Sequence, residues 1–268
     1  MAVQHYENFP VASVLLPPRL RRPVALVYRF AREADDFADE GSAPPETRLA
    51  QLEHFGRQLR ALERGAPPEI PWFSDLGGVI AEYGLPLQSF HDLLSAFSQD
   101  VTRTRYATYA EVLDYCRRSA DPVGRILLVL YGASSRTHLA WSDAICTSLQ
   151  LINFLQDVAI DYRKDRIYLP QEDLARFGVT EDAIARGIAD ERWRALMQFE
   201  IDRARSLLFS GAPLGRALKG RIGLELRMIV AGGARILEKI ERVGGDVFER
   251  RPVLRAPDWP LMLLRSLR

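Results

Sequence analysis

The stretch QLINFLQDVAIDYR, residues 150–163, constrains the chain most. It contains no Gly or Pro and is built of good helix formers, so it reads as a helix. At about 100° per residue, Gln150, Asn153, Asp157 and Asp161 fall within an arc of roughly 80°. Leu151, Leu155, Val158 and Tyr162 take the opposite side, and Ile152 and Ala159 fill a flank. A helix that is apolar nearly all round is a buried helix. Its two carboxylates then need partners, because an unpaired buried charge is very costly. Arg or Lys from a neighbouring helix would serve, and so would a divalent metal. A solvated polar stripe on an ordinary amphipathic helix explains this stretch equally well when it is taken alone.

A second stretch shifts that balance. Residues 28–40, YRFAREADDFADE, also have helical character. Tyr28, Arg32, Asp35 and Asp39 share one stripe, and Asp36 borders it. Carboxylates four apart on a helix sit about 5–6 Å apart at Cβ. With an effective dielectric near 20, like charges at that distance repel by roughly 3 kcal/mol. A folded chain keeps such a cluster most readily when cations gather it. Oxygen-only ligand sets suit Mg²⁺, which keeps waters and bridges carboxylates to substrate phosphates. Two acidic stripes facing each other would hold a diphosphate in that way.

The pairing of Asp35-Asp36-Phe37-Ala38-Asp39 with Asn153, Asp157 and Asp161 at four-residue spacing resembles the squalene/phytoene synthase family. Arg105-Tyr106 with Tyr115-Cys116, Arg166-Ile167-Tyr168-Leu169-Pro170, and Asp246 to Arg251 add to the resemblance, which runs from about Tyr6 to Arg251. Within the family, residues 7–13, Asp121-Pro122-Val123-Gly124 and residues 250–254 resemble the hydroxysqualene-forming group of hopanoid biosynthesis. The chain departs from the commoner pattern at Gln156, where Arg is usual, and at Ile160, where Glu is usual.

The resemblance implies an all-α, single-domain isoprenoid synthase fold over residues 1–268, with helices around a central apolar cavity. It implies Mg²⁺ held on an isoprenoid diphosphate by Asp35, Asp36, Asp39, Asn153, Asp157 and Asp161. It places Ser13, Tyr28, Arg32, Arg105, Tyr106 and Gln150 at the substrate, with Arg105 on the leaving diphosphate and Tyr28, Arg32 and Tyr106 orienting the phosphate end. The implied reaction is ionisation of presqualene diphosphate and capture of the rearranged cation by water, giving hydroxysqualene. A head-to-head condensing enzyme making squalene, presqualene diphosphate or phytoene is the alternative within the family. A non-catalytic helical subunit is the alternative outside it, and two complete acidic stripes argue against that reading.

Composition agrees with a large core: 268 residues, 47% hydrophobic, with a net charge of +1. Near-neutral charge gives no basis for a nucleic-acid partner. Cys116 and Cys146 sit among apolar neighbours and read as small buried hydrophobes. His5, His54, His91 and His138 have no metal-ligand spacing. No secretory leader and no run of 18 apolar residues is seen, so the expected location is cytoplasmic, with peripheral membrane contact as a second possibility.

The rest of the chain reads as helices over 18–40, 46–64, 73–83, 87–100, 108–131, 142–164, 189–209 and 214–243, with short helices over 171–187. Pro122 should break the helix that contains it. Gly124, Gly232 and Gly233 are expected to leave room for a hydrocarbon. The apolar tail around Trp259 has two placements, on the protein body or on a membrane, and the body is the expected one.

Overall fold

The computed structural model describes residues 16–267. Ser13 and the rest of residues 1–15 lie outside the described residues. The helices are α1 Pro18–Asp39, α2 Pro45–Glu63, α3 Pro71–Tyr83, α4 Leu87–Thr102, α5 Tyr109–Ser119, α6 Asp121–Leu130, α7 Arg136–Arg163, α8 Gln171–Phe177, α9 Glu181–Ala185, α10 Glu191–Gly211, α11 Leu214–Ala217, α12 Gly220–Arg242 and α13 Asp258–Ser266. Extended pairing among the described residues is limited to one isolated parallel bridge, Arg105 with Ile167.

Local chemistry sets the boundaries. The Ser135 side chain accepts from the His138 N–H at 3.2 Å, so α7 starts at Arg136 rather than at the expected Ser142. Pro122 falls in the first turn of α6, where its missing N–H costs nothing, and the expected break separates α5 from α6 at Ala120. The single helix expected over 214–243 is two helices. Gly220 turns with φ +69°, and Arg227 Nη1 donates to the Gly215 carbonyl at 2.7 Å, folding α11 back on α12. A Cβ on Gly223 would lie 1.8 Å from the Leu218 carbonyl oxygen, so only glycine permits that fold-back.

Among the described residues, two hydrophobic clusters fill the interior. One joins α1 to α4 and includes Phe30, Phe55, Phe73 and Phe90. Phe30 meets Phe90 edge-on at 5.1 Å, and Phe55 meets Phe73 edge-on at 5.0 Å. The other surrounds α7 with α5, α10 and α12. Helix α4 gives Phe90 and Phe97 to the first and Ala96 to the second; α6 gives Ile126 and Leu130 to the first and Leu128 to the second. These two helices knit the halves together.

This packing orients both acidic stripes. Leu20, Val24, Val27, Phe30, Ala34 and Ala38 bury one face of α1, which leaves Arg32, Asp35, Asp36 and Asp39 on another. Ile145, Leu151, Leu155 and Val158 bury α7. The glycines expected to give hydrocarbon room instead bring helices together. A Cβ on Gly124 would lie 2.3 Å from Ser142 Oγ and 2.6 Å from Cys146 Sγ, so α6 rests directly on α7. Gly233 likewise meets Leu149, Leu208 and Ile152, and Gly232 meets Met262 and Leu254. Both cysteines are free thiols, with Cys116 buried as expected. Among the described residues no helix is long and apolar enough to cross a membrane.

Candidate active site

The two stripes approach each other at the C-terminal ends of α1 and α7. After α7, Asp165 takes a left-handed φ of +58°, and the chain doubles back so that the Ile167 N–H donates to the Thr104 carbonyl at 2.9 Å. That reversal brings Arg166 and Lys164 to Asp39. Arg166 Nη1 pairs with Asp39 Oδ1, and Lys164 Nζ donates to Asp39 Oδ2 at 3.0 Å. Burial works against the Asp39 charge, but Arg166 and Lys164 outweigh it and hold the carboxyl below its ordinary range. On α7, Asp157 is gripped by Arg251 through both Nε and Nη2, the latter at 2.9 Å. The neighbouring Gln156 is buried and donates to the Pro252 carbonyl at 2.6 Å, which anchors the segment that delivers Arg251. On α1, Arg32 pairs with Asp36 and lies 3.6 Å from Asp35.

At two carboxyls, burial and repulsion outweigh the nearby cations. Burial, then the nearby Asp39 charge, pushes Asp35 up to about 7. Burial, then Asp157, pushes Asp161 up to about 8, with Asp39 adding repulsion from across the site. Asp161 therefore senses carboxylates of both stripes, as expected if the stripes face one another.

The expected metal can be weighed against this donor set. The donors are carboxylate oxygens and one amide, which suits a hard divalent cation. Among the described residues no three carboxylates gather tightly enough to hold an ion by themselves. Mg²⁺ needs only one or two carboxylates when substrate phosphates complete its shell, so the residues fit a metal that arrives with a diphosphate.

The remaining expected residues divide. Tyr28 stands one turn before Arg32 on α1 and is 37% exposed. Asn153 and Gln150 lie on the Asp157 face of α7, both half-buried. Arg105 goes elsewhere. Its guanidinium holds Glu181 at 2.9 Å and Asp165 at 3.0 Å, stapling the 103–106 connector to α9 and the turn after α7. Arg103, on the same connector, pairs with Glu111. Tyr106 is buried behind the site, stacked on Tyr168 at 5.6 Å, and its hydroxyl accepts from Gln99 at 3.0 Å.

Sequence reasoning gave no role to Lys164, Arg166, Arg251 or Asp100. Asp100 accepts from Tyr115 at 2.5 Å and Tyr168 at 2.9 Å, while its backbone carbonyl accepts from Arg166 Nη2 at 3.1 Å. Phe154 stacks on Tyr168 at 3.9 Å. This buried aromatic-acid hub fixes the arginine that holds Asp39. The run of Arg166 to Pro170 after the acidic helix was the available signal for it.

The helical body and its paired acidic stripes define a protein of the isoprenoid synthase fold. It superposes on squalene synthase HpnC from Alicyclobacillus acidocaldarius with a TM-score of 0.82 at 38% identity, covering 90% of each chain. It superposes on a dehydrosqualene synthase with a TM-score of 0.83, covering 94% of this chain and 88% of the other; at 24% identity that likeness bears on the fold alone. The chain belongs to the squalene/phytoene synthase family, whose sequence pattern matches residues 2–258. Hydroxysqualene synthase of Rhodopseudomonas palustris is 38% identical over 88% of this chain and 80% of its own length. The 15-cis-phytoene synthase of Synechococcus elongatus is 32% identical over 99% of this chain and 91% of its own length. The protein is thus an enzyme of the squalene/phytoene synthase type, acting on isoprenoid diphosphates.

Proposed function

We propose that the enzyme ionises presqualene diphosphate with Mg²⁺ and lets water capture the rearranged cation, releasing hydroxysqualene and diphosphate for hopanoid biosynthesis. The observation that carries this reading is the interleaving of acids and bases at the site: Asp39 between Lys164 and Arg166, Asp157 on Arg251, Asp36 on Arg32. A diphosphate adds negative charge to a site where Asp35 and Asp161 already resist ionising. A divalent cation bound by Asp35, Asp36, Asp39, Asn153, Asp157 and Asp161 would supply the missing positive charge and polarise the departing phosphate oxygens. Lys164, Arg166, Arg251 and Arg32 can exchange carboxylate for phosphate oxygen as the substrate settles, and so stabilise charge that grows as the diphosphate leaves. Tyr28, one turn before Arg32 on α1, would orient the phosphate end. Arg105 reaches a phosphate only if its ion pairs with Glu181 and Asp165 open. The cation left behind must be shielded from bulk water except at the position of capture.

The choice of product rests on the hydroxysqualene synthase relatives, of which that of Zymomonas mobilis is 37% identical over 83% of this chain. The phytoene synthase match along 99% of the chain keeps a condensing activity as the second reading. Purified protein with presqualene diphosphate, Mg²⁺ and heavy-oxygen water should give a labelled alcohol with or without NADPH. A product formed from farnesyl diphosphate alone would support the condensing reading, and an oxygen-free hydrocarbon that requires NADPH would overturn the hydroxysqualene assignment.

A further inference from the structure

Helix α13 packs the wrong way round for a helix at a water-facing surface. Its inner side carries Asp258, Met262 and Ser266, all buried. Its outer side carries Trp259 at 44% exposure, Leu263 at 46%, Leu264 at 53% and Leu267 at 67%. At about 100° per residue these four and the exposed Pro260 fall within an arc of about 140° that contains no charged side chain. Such a contiguous apolar face is unusual on a soluble surface and marks a contact site.

The surroundings are basic. Arg227 Nε donates to the Ser266 carbonyl at 2.5 Å and its Nη1 to Gly215 at 2.7 Å, which pins the end of α13 to the α11–α12 junction. Lys219 and Arg221 are exposed at that junction, and Arg255 is exposed just before α13. Lys219 and Arg221 flank the N-terminus of α12, where positive charge opposes the helix dipole, so helix stability does not explain them. Acids on this end are already engaged: Asp258 with Arg235 and Lys239, Glu238 with Arg235 and Arg265.

We propose that α13 is an interfacial helix that seats the protein on an anionic lipid bilayer. Trp259, Leu263, Leu264 and Leu267 enter the boundary between headgroups and acyl chains, and Lys219, Arg221 and Arg255 meet lipid phosphates. Charge complementarity favours lipid over a second copy of the chain, which would set the same cations against one another. The face is also small. It offers on the order of a few hundred Å², against the ~800 Å² per partner of a stable protein interface.

The test is flotation of the full chain with vesicles of phosphatidylglycerol and phosphatidylcholine, and with phosphatidylcholine alone, in low and high salt. No substrate is present, so the outcome is independent of the reaction the site performs. The protein should float with anionic vesicles in low salt and shift its tryptophan emission to the blue, a shift that Trp259→Phe removes. The triple variant Leu263→Ser, Leu264→Ser, Leu267→Ser should bind at least about tenfold more weakly, and Lys219→Gln with Arg221→Gln about tenfold more weakly. Both should keep the wild-type melting temperature and turnover. Leu264→Ser alone gives the same reading if the triple variant fails to fold. Wild-type protein that ignores anionic vesicles, or a triple variant that floats as well as wild type, overturns the proposal. A dimer in solution that the triple variant abolishes, without vesicle binding, overturns it in favour of self-association.

Discussion

Asp161 is the residue at which this site should cost the fold most. Its carboxyl takes no hydrogen bond among the described residues, and burial with Asp157 nearby raises it from 3.8 to about 8. In the unfolded chain it ionises near its ordinary value. The folded state therefore holds a proton that the unfolded state has released between about pH 4 and about pH 8, and stability falls as pH rises through that window. Each unit is worth about 1.4 kcal/mol, so near pH 7.5 the ceiling on this cost is about 5 kcal/mol. The Asp161→Asn amide still loses about 1–2 kcal/mol by desolvation, and part of the repulsion is shared with Asp157 and Asp39. A net gain of about 2 kcal/mol is expected, which for a chain of this size raises the melting temperature by about 5 °C. Thermal unfolding followed by circular dichroism in EDTA, at about pH 5 and about pH 7.5, measures it. The gain should be clear at the higher pH and shrink to a fraction at the lower one, while turnover with Mg²⁺ falls sharply. A variant that melts at or below wild type near pH 7.5, or a gain that ignores pH, would refute the reasoning.

Three further outcomes are expected. Arg166→Ala removes a buried partner of Asp39 and of the Asp100 carbonyl, and should cost about 3–5 kcal/mol in denaturant unfolding as well as most activity. Gly124→Leu drives side-chain atoms into Ser142 and Cys146, and should lower stability by about 1–3 kcal/mol or more while the product spectrum stays the same; a shifted product with an unchanged melt would return the glycine to the hydrocarbon pocket. Chelation should abolish turnover of presqualene diphosphate and Mg²⁺ should restore it, with full activity in EDTA counting against the metal reading.

The acidic stripes were legible because helical spacing is local. Residues three and four apart share a face whatever the rest of the chain does, so Asp35, Asp39, Asp157 and Asp161 could be aligned on paper. Helix caps are local as well, and the Ser135 N-cap starts α7 earlier than the apolar pattern alone does. Glycine carries a signal without a direction. A residue without Cβ signals close approach, but sequence does not say whether a ligand or another helix approaches; at Gly124 and Gly233 it is a helix.

What sequence alone withheld is which cation meets which acid. Arg166 and Asp39 are 127 residues apart, and Arg251 and Asp157 are 94 apart. Nothing local distinguishes these arginines from Arg105, which carries the same charge but is committed to Glu181 and Asp165. The pairing follows from the turn at Asp165, from Gln156 holding Pro252, and from Asp100 fixing Arg166. The Gln156 departure from the family's usual Arg gains a physical reading here. An Arg buried at 156 would add a cation beside Asp157, whereas the amide fixes the backbone of the segment that brings Arg251. The positive charge at Asp157 thus arrives from the distant end of the chain, and the geometry of the second acidic stripe depends on how that segment docks.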